Sequence, residues 1–389
     1  MKNYVAIVMA CAVLGQVAGA DVWDDLATFT SSTERSSPPV AVNDLIVNTP
    51  AGEMGAIEDR LIAMISSTHS TLEAKRFSCR MLQRVGTEKS VPLLGSLLCD
   101  EALSHYARLT LERLTDSDAA SKALTEALDK APDPLKIGIM GSLAARGDAK
   151  AVKPIARTAR SDNPAVTTAA LHALGKLGGK RARKAILKTP VPAAPLAART
   201  AIQAARYDAM LMVADAIQDA ELLEEIYITA PTAAHSGAAL RGLILVDESR
   251  AAPLVAELVK DEASYPRDVV LTSLAHDGGA TLTEAVAGCL SELPAGRQCV
   301  LMALLAKRGD PAALTTIETF VESKMATVRD AAIRAMAALG DGATAALLVS
   351  QATDDQREVV LDALVRMTHP DVNTQLIAAL DDKTTAAAA

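Results

Sequence analysis

Few residues in this chain have both the type and the spacing that chemistry requires. The six histidines, His69, His105, His172, His235, His276 and His369, are each separated from the next by more than 30 residues. A metal centre or a base–nucleophile pair needs partners brought together, so these read as surface or half-buried side chains. The sequence has no C-x-x-C pair, no C-x-x-C-H, no H-E-x-x-H, no phosphate loop and no G-x-S-x-G elbow. Two charge clusters are more visible. Lys176, Lys180, Arg181, Arg183, Lys184 and Lys188 form a basic run, and Asp215, Asp219, Glu221, Glu224 and Glu225 an acidic run about one unit later. Both read first as solvated helix faces and second as a polarised docking surface. A paired-carboxylate hydrolase would need an environment that separates two pKa values, and nothing in the acidic run provides one. Nothing in these residues points to an enzyme, a metal or a bound cofactor.

Five cysteines are present, one of them, Cys11, inside an apolar N-terminal stretch. Cys289 and Cys299 each stand five residues from Pro294, which marks the turn between two helical runs. A disulfide across that hairpin and a pair of buried free thiols are the two alternatives. Cys79 and Cys99 are offset around the turn at Gly86 and read as buried thiols.

The elements that carry these residues announce themselves by repetition. Residues 163–179 read NPAVTTAALHALGKLGG, and 162 positions later residues 325–341 read MATVRDAAIRAMAALGD. Gly86, Gly147, Gly178, Gly309 and Gly340 are separated by 61, 31, 131 and 31 residues, close to multiples of about 31. A period in this range signals a solenoid, in which each unit buries its apolar face against its neighbours. Within one unit, Ala149–Ala159 is the first helix and Pro164–Leu177 the second, with Asp162 and Asn163 as caps and Gly178 as the stop. The ladder Val166, Ala170, Leu171, Leu174 and Leu177 reappears as Val328, Ala332, Ile333, Met336 and Leu339. Leu135, Ile139, Met140 and Leu143 form another such stripe, as do Leu301, Met302 and Leu305.

Composition and the N-terminus set the remaining bounds. MKNYVAIVMACAVLGQVAGA, ending Ala18-Gly19-Ala20, reads as a signal peptide cleaved before Asp21, which places the mature chain in the periplasm or outside the cell. A rival reading takes Val8-Met9-Ala10-Cys11 as a lipoprotein site, but its apolar region would be unusually short. Aromatics are 2% of the chain and the formal net charge is −8, which argues against nucleic acid and against stacking on sugar rings. Residues 21–52, with TSSTERSSPP, read as a flexible linker, 53–382 as the helical array and 383–389 as a disordered Ala-rich tail.

Val328-Arg329-Asp330-Ala331-Ala332-Ile333-Arg334-Ala335-Met336, followed by Leu339-Gly340-Asp341, resembles the second-helix signature of short HEAT-like repeats of the phycobilin-lyase type. Arg146-Gly147-Asp148 and Arg308-Gly309-Asp310 resemble the junction into the next unit. The whole chain also resembles secreted bacterial HEAT-repeat proteins. The resemblance is strong at 86–180 and 300–350 and weakens between 185 and 295. It implies an all-α, right-handed superhelix of about ten or eleven helix pairs. The expected function is an exported, non-enzymatic scaffold whose second helices line a concave surface for a protein partner, with Thr168, His172, Asp330 and Arg334 facing it. A lyase-like or chaperone role toward a chromophore or cofactor, and a purely structural role in the envelope, are the competing expectations.

Overall fold

A computed structural model describes residues 22–30, 38–261, 276–353 and 355–381. The signal segment 1–20, the tail 383–389, most of TSSTERSSPP and part of the irregular stretch lie outside the described residues. Every regular element among the described residues is helical. The described residues up to Val213 and those from Ala214 on form two compact units.

In the first unit the helices are α1 (Pro38–Asn48), α2 (Met54–Ser66), α3 (Leu72–Val85), α4 (Val91–Ser96), α5 (Ser104–Arg113), α6 (Asp118–Lys130) and α7 (Asp133–Arg146). They continue as α8 (Val152–Thr158), α9 (Pro164–Leu177), α10 (Gly179–Leu187) and α11 (Leu196–Ile217). The second helices α3, α5, α7 and α9 pack each on the next, and the first helices α4, α6, α8 and α10 form a parallel row of their own. This two-row stack is what a period of about 31 predicts.

Local chemistry places the boundaries. Thr71, Ser117 and Asn163 each accept a hydrogen bond from a backbone amide in the first turn of α3, α6 and α9. Pro164 opens α9, where no amide donor is lost. The expected first helix at 149–159 is shorter than its pattern suggests: a 3₁₀ turn at Ala149–Ala151 leads into α8. Leu124, Leu128, Ile139, Met140, Leu143 and Ile155 are at most 1% exposed and knit the two rows. Each contributes about 1.5–3 kcal/mol by burial.

The expected linker at 21–52 is corrected by the structure, since much of it is helical and packed. Residues 22–27 are helical, with Trp23 and Leu26 buried. The Thr71 amide donates to the Ala27 carbonyl, and the Thr71 hydroxyl to that of Phe29. α1 buries Val42 and Ile46. The apolar residues of DVWDDLATF and VAVNDLIV outweigh the Ser/Thr/Pro tract between them, and burying them offsets the entropy of ordering the segment.

In the second unit come α12 (Ala220–Thr229), α13 (Ala233–Val246), α14 (Glu248–Lys260), α15 (Ala280–Gly288), α16 (Ala295–Arg308), α17 (Leu314–Glu318), α18 (Ala326–Leu339), α19 (Gly342–Gln351), α20 (Arg357–Arg366) and α21 (Val372–Asp381). The second helices α16, α18 and α20 again stack in order, and the ladder Val328, Ala332, Ile333 and Met336 is buried between neighbours.

Arg-Gly-Asp at the two matching junctions does one job twice. Gly147 (φ 69°, ψ 18°) and Gly309 (φ 75°, ψ 13°) take the left-handed conformation that ends the helix. Asp148 and Asp310 then accept the amides of Lys150 and Ala312, opening the next turn. Arg146 reaches one unit back and donates to the carbonyls of Leu111, Leu114, Thr115 and Ser117 and to the Ser121 hydroxyl. The first two carbonyls lie at the end of α5, where helix carbonyls have no intrahelical partner. Burial pulls the Arg146 pKa down, and Asp148, Asp116, Asp118 and Glu112 oppose it. Arg308 repeats the device on the carbonyls of Asp277 and Gly279 and on the Thr283 hydroxyl. Arg297 does so on Val259 and Lys260, at the end of α14.

All five glycines stand directly after a helix, as the repeat pattern predicts, but only Gly147 and Gly309 do so in the left-handed helical well. Gly178 has φ 66° but ψ −173°, outside the left-handed helical well. Gly86 and Gly340 are extended, at φ −66° and −92°, and need no unusual backbone. What they need is space: a Cβ would meet the Leu82 carbonyl oxygen at Gly86 and the Thr344 side chain at Gly340.

Candidate partner-binding surface

The row of first helices in the first unit leaves an open groove at each of three successive junctions. Between α4 and α6 lies one of about 500 Å³, whose charged lining is Glu88, Glu126 and Lys130. Between α6 and α8 lies one of about 590 Å³, with Asp118, Glu126 and Asp148 set against Lys122, Lys150, Lys153 and Arg157. Between α8 and α10 lies one of about 460 Å³, lined by Lys150, Lys153, Arg160, Arg181, Lys184 and Lys188 with no carboxylate. Two acids against one base thus become three against four, and then six cations alone. Val152, Ala156 and Ala185 supply the apolar part of this last groove.

Alternating opposite charge is neutralised where both signs are present. Lys150 donates to Asp118 at 2.9 Å, which raises its pKa, and Arg157 meets Asp129 at 2.7 Å. Lys153, Arg160, Arg181, Lys184 and Lys188 are exposed and form no ion pair among the described residues. Behind the groove, Arg206 on α11 donates to the carbonyl of Thr189, which lines it, and its Nε is buried without a hydrogen-bond partner.

The basic run read from sequence is divided by the fold. Arg181, Lys184 and Lys188 face the groove; Lys176 and Lys180 are exposed outside its lining, and Arg183 is half-buried with a partner. Sequence reasoning missed Lys150, Lys153 and Arg160, which complete the wall from α8 and the turns that flank it. The signal was there: Lys150, Lys153 and Arg157 recur 31 positions later as Arg181, Lys184 and Lys188. The acidic run belongs to the second unit, where Asp219 caps α12 through the Leu222 amide and Glu224 pairs with Arg250 at 2.8 Å.

Thr168 and His172 stand one turn apart on α9, the first half-buried and the second exposed. Asp330 is half-buried and Arg334 exposed on α18. All four therefore sit on second helices, away from the first-helix grooves, and the two pairs fall in different units. His105 lies in the first turn of α5, its Nδ1 2.9 Å from Arg108 Nη2.

The disulfide considered between Cys289 and Cys299 is not formed. Cys289 donates to the carbonyls of Ala285 and Ala256, the latter on α14, while Cys299 donates to Thr327 on α18. Equal distance from a turn sets two residues level, but helical rotation aims their thiols at opposite neighbours. Cys99 is a further correction, being exposed rather than buried. Burial pushes the Cys79 thiol up to about 12. A thiol-labelling time course on the folded protein should therefore modify Cys99 within the mixing phase, while Cys79 reacts only after denaturant is added. Equal rates for the two, read by peptide mass, would contradict these placements.

With this geometry in hand, the class is plain: residues 121–206, from within α6 into α11, match the family model of HEAT repeats. Over that stretch the chain is built of HEAT repeats. No curated protein sequence matches it. Among solved structures, human deoxyhypusine hydroxylase in complex with glycerol is 20% identical, over 78% of this chain and 98% of that one, with a TM-score of 0.28. The complex of CpcE and CpcF of phycocyanin lyase from Nostoc sp. PCC7120 is also 20% identical, over 65% and 95%, with a TM-score of 0.31.

Proposed function

We propose that this chain is an exported, non-enzymatic scaffold that holds a protein partner along its row of helix pairs. The observation that carries this reading is the run of three open grooves, each lined by apolar and charged side chains together, at consecutive junctions of the first unit. Repeated shallow grooves suit an extended partner that gains affinity over many weak contacts. The contact surface is accordingly assigned first to the first-helix row, with Thr168, His172, Asp330 and Arg334 as a separate second-helix face.

The shifted titratable groups support a structural role. Asp133 is held low by Asn163 and Lys136, and Asp341 by the Thr344 amide at the start of α19. Burial pulls Asp310 upward, but the Thr283 hydroxyl, the Ala312 amide and Arg308 outweigh it. These are caps and inter-repeat ties, where perturbed values otherwise mark catalysis. Export rests on the N-terminal leader and its Ala18-Gly19-Ala20 site.

Cross-linking in intact cells, followed by purification from the exported fraction, tests the reading. The expected result is a mature N-terminus at Asp21 and one protein cross-linked in constant ratio. Retention of Met1 in the cytoplasm overturns export, and a stoichiometric chromophore in place of a protein overturns the scaffold.

A further inference from the structure

We propose that the groove between α8 and α10 binds an extended, Asp/Glu-rich segment of a partner protein, in one direction only. This rests on the scaffold reading and names the chemistry of the partner. Six cations converge on one groove of a chain whose formal net charge is −8, and five of them have no ion-pair partner among the described residues. Such a local reversal of sign is felt within about a Debye length, ~8 Å at physiological salt, so it selects ligands that enter the groove.

The lining narrows the chemistry. It contains no aromatic side chain, so bases have nothing to stack on. Four of the six cations are lysines, flexible point charges that can each meet a carboxylate set out singly along an extended chain. The cations line a concave slot between two helices, with Val152, Ala156 and Ala185 among them, whereas a lipid surface is flat. A peptide backbone carrying short acidic side chains fits all three features.

Direction follows from the neighbouring grooves. The charge balance falls from six cations at α8–α10 to near neutrality at α6–α8 and to a slight acidic excess at α4–α6. Neighbouring helices lie roughly 8–10 Å apart, so three junctions span about 30 Å, the reach of about nine extended residues. The acidic end of such a segment lies over Lys153 and Lys184, and its neutral or basic end over Glu88 and Lys130.

The test uses the full mature chain and a fluorescein-labelled twelve-residue peptide with six Asp/Glu at one end and three Lys at the other. Anisotropy should report binding that weakens at least tenfold between 50 and 500 mM salt. The K153E/K184E double variant should weaken it at least tenfold and K153Q/K184Q by less. K324E, an exposed change in the other unit, should leave it unchanged, and all variants should keep wild-type helicity by circular dichroism. A photo-cross-linker at the acidic end of the peptide should mark α8 or α10, and one at the lysine end α4 or α6. Equal binding by K153E/K184E, or reversed cross-links, overturns the proposal. So does tighter binding of a charge-matched oligothymidylate or of phosphatidylserine vesicles. A null peptide result beside a partner recovered from cells removes this inference alone; binding of the peptide by a chain with no cellular partner removes the scaffold reading instead.

Discussion

Replacing Arg146 with alanine should lower the unfolding free energy by about 3 kcal/mol, read as a fall in the urea midpoint. The substitution strips four backbone carbonyls and the Ser121 hydroxyl of a charged donor at once. Water can reach part of this site, which keeps the loss below the sum of five separate bonds. Arg146→Lys should recover less than half, because one ammonium cannot span the carbonyls of Leu111, Leu114, Thr115 and Ser117. Arg308→Ala is the internal replicate, with the Asp277 and Gly279 carbonyls and the Thr283 hydroxyl among the acceptors affected and a loss of about 2 kcal/mol. If Arg146→Ala melts like the parent, the junction arginine is not what ties one repeat to the next.

Gly175→Val should cost about 3 kcal/mol or abolish folding. Gly175 is buried in α9, and a Cβ there would come within 2.8 Å of the Ala209 Cα on α11. The close neighbour is backbone, so relief requires the helices to separate, and a branched side chain makes the demand worse. Gly141→Ala is the matched control. Gly141 is exposed in α7 with nothing within 4 Å of its Cβ direction, so alanine should stabilise by about 0.5–1 kcal/mol. Thermal melts of the two variants moving in the same direction would contradict this account of the packing.

The repeat plan was legible because the period, the caps and the apolar stripe all point to one answer. Pro164–Leu177 appears with its predicted ends and its Asn163 cap, and the ladder at 328–336 is buried at the same register as that at 166–174. Less legible was anything set by rotation about a helix axis. Cys289 and Cys299 stand level across their turn, which left a bond and two free thiols both open, and the helices that carry them turn them apart. The linker reading of 21–52 gave weight to Ser and Pro, whereas burial of Trp23, Leu26, Val42 and Ile46 decides the outcome. The groove was half visible. A run of adjacent lysines and arginines drew the eye to 176–188, but the wall is made by residues one repeat apart, and only the 31-residue recurrence unites Lys150 with Arg181.

The indole of Trp23, 7% exposed in the short N-terminal helix, is the single tryptophan of the chain. Its emission therefore reports on the N-terminal helix of the first unit and is silent about the rest. Detachment of that short helix would shift the spectrum to longer wavelength while ellipticity at 222 nm barely changed, so its release from Thr71 and its neighbours carries its own optical label.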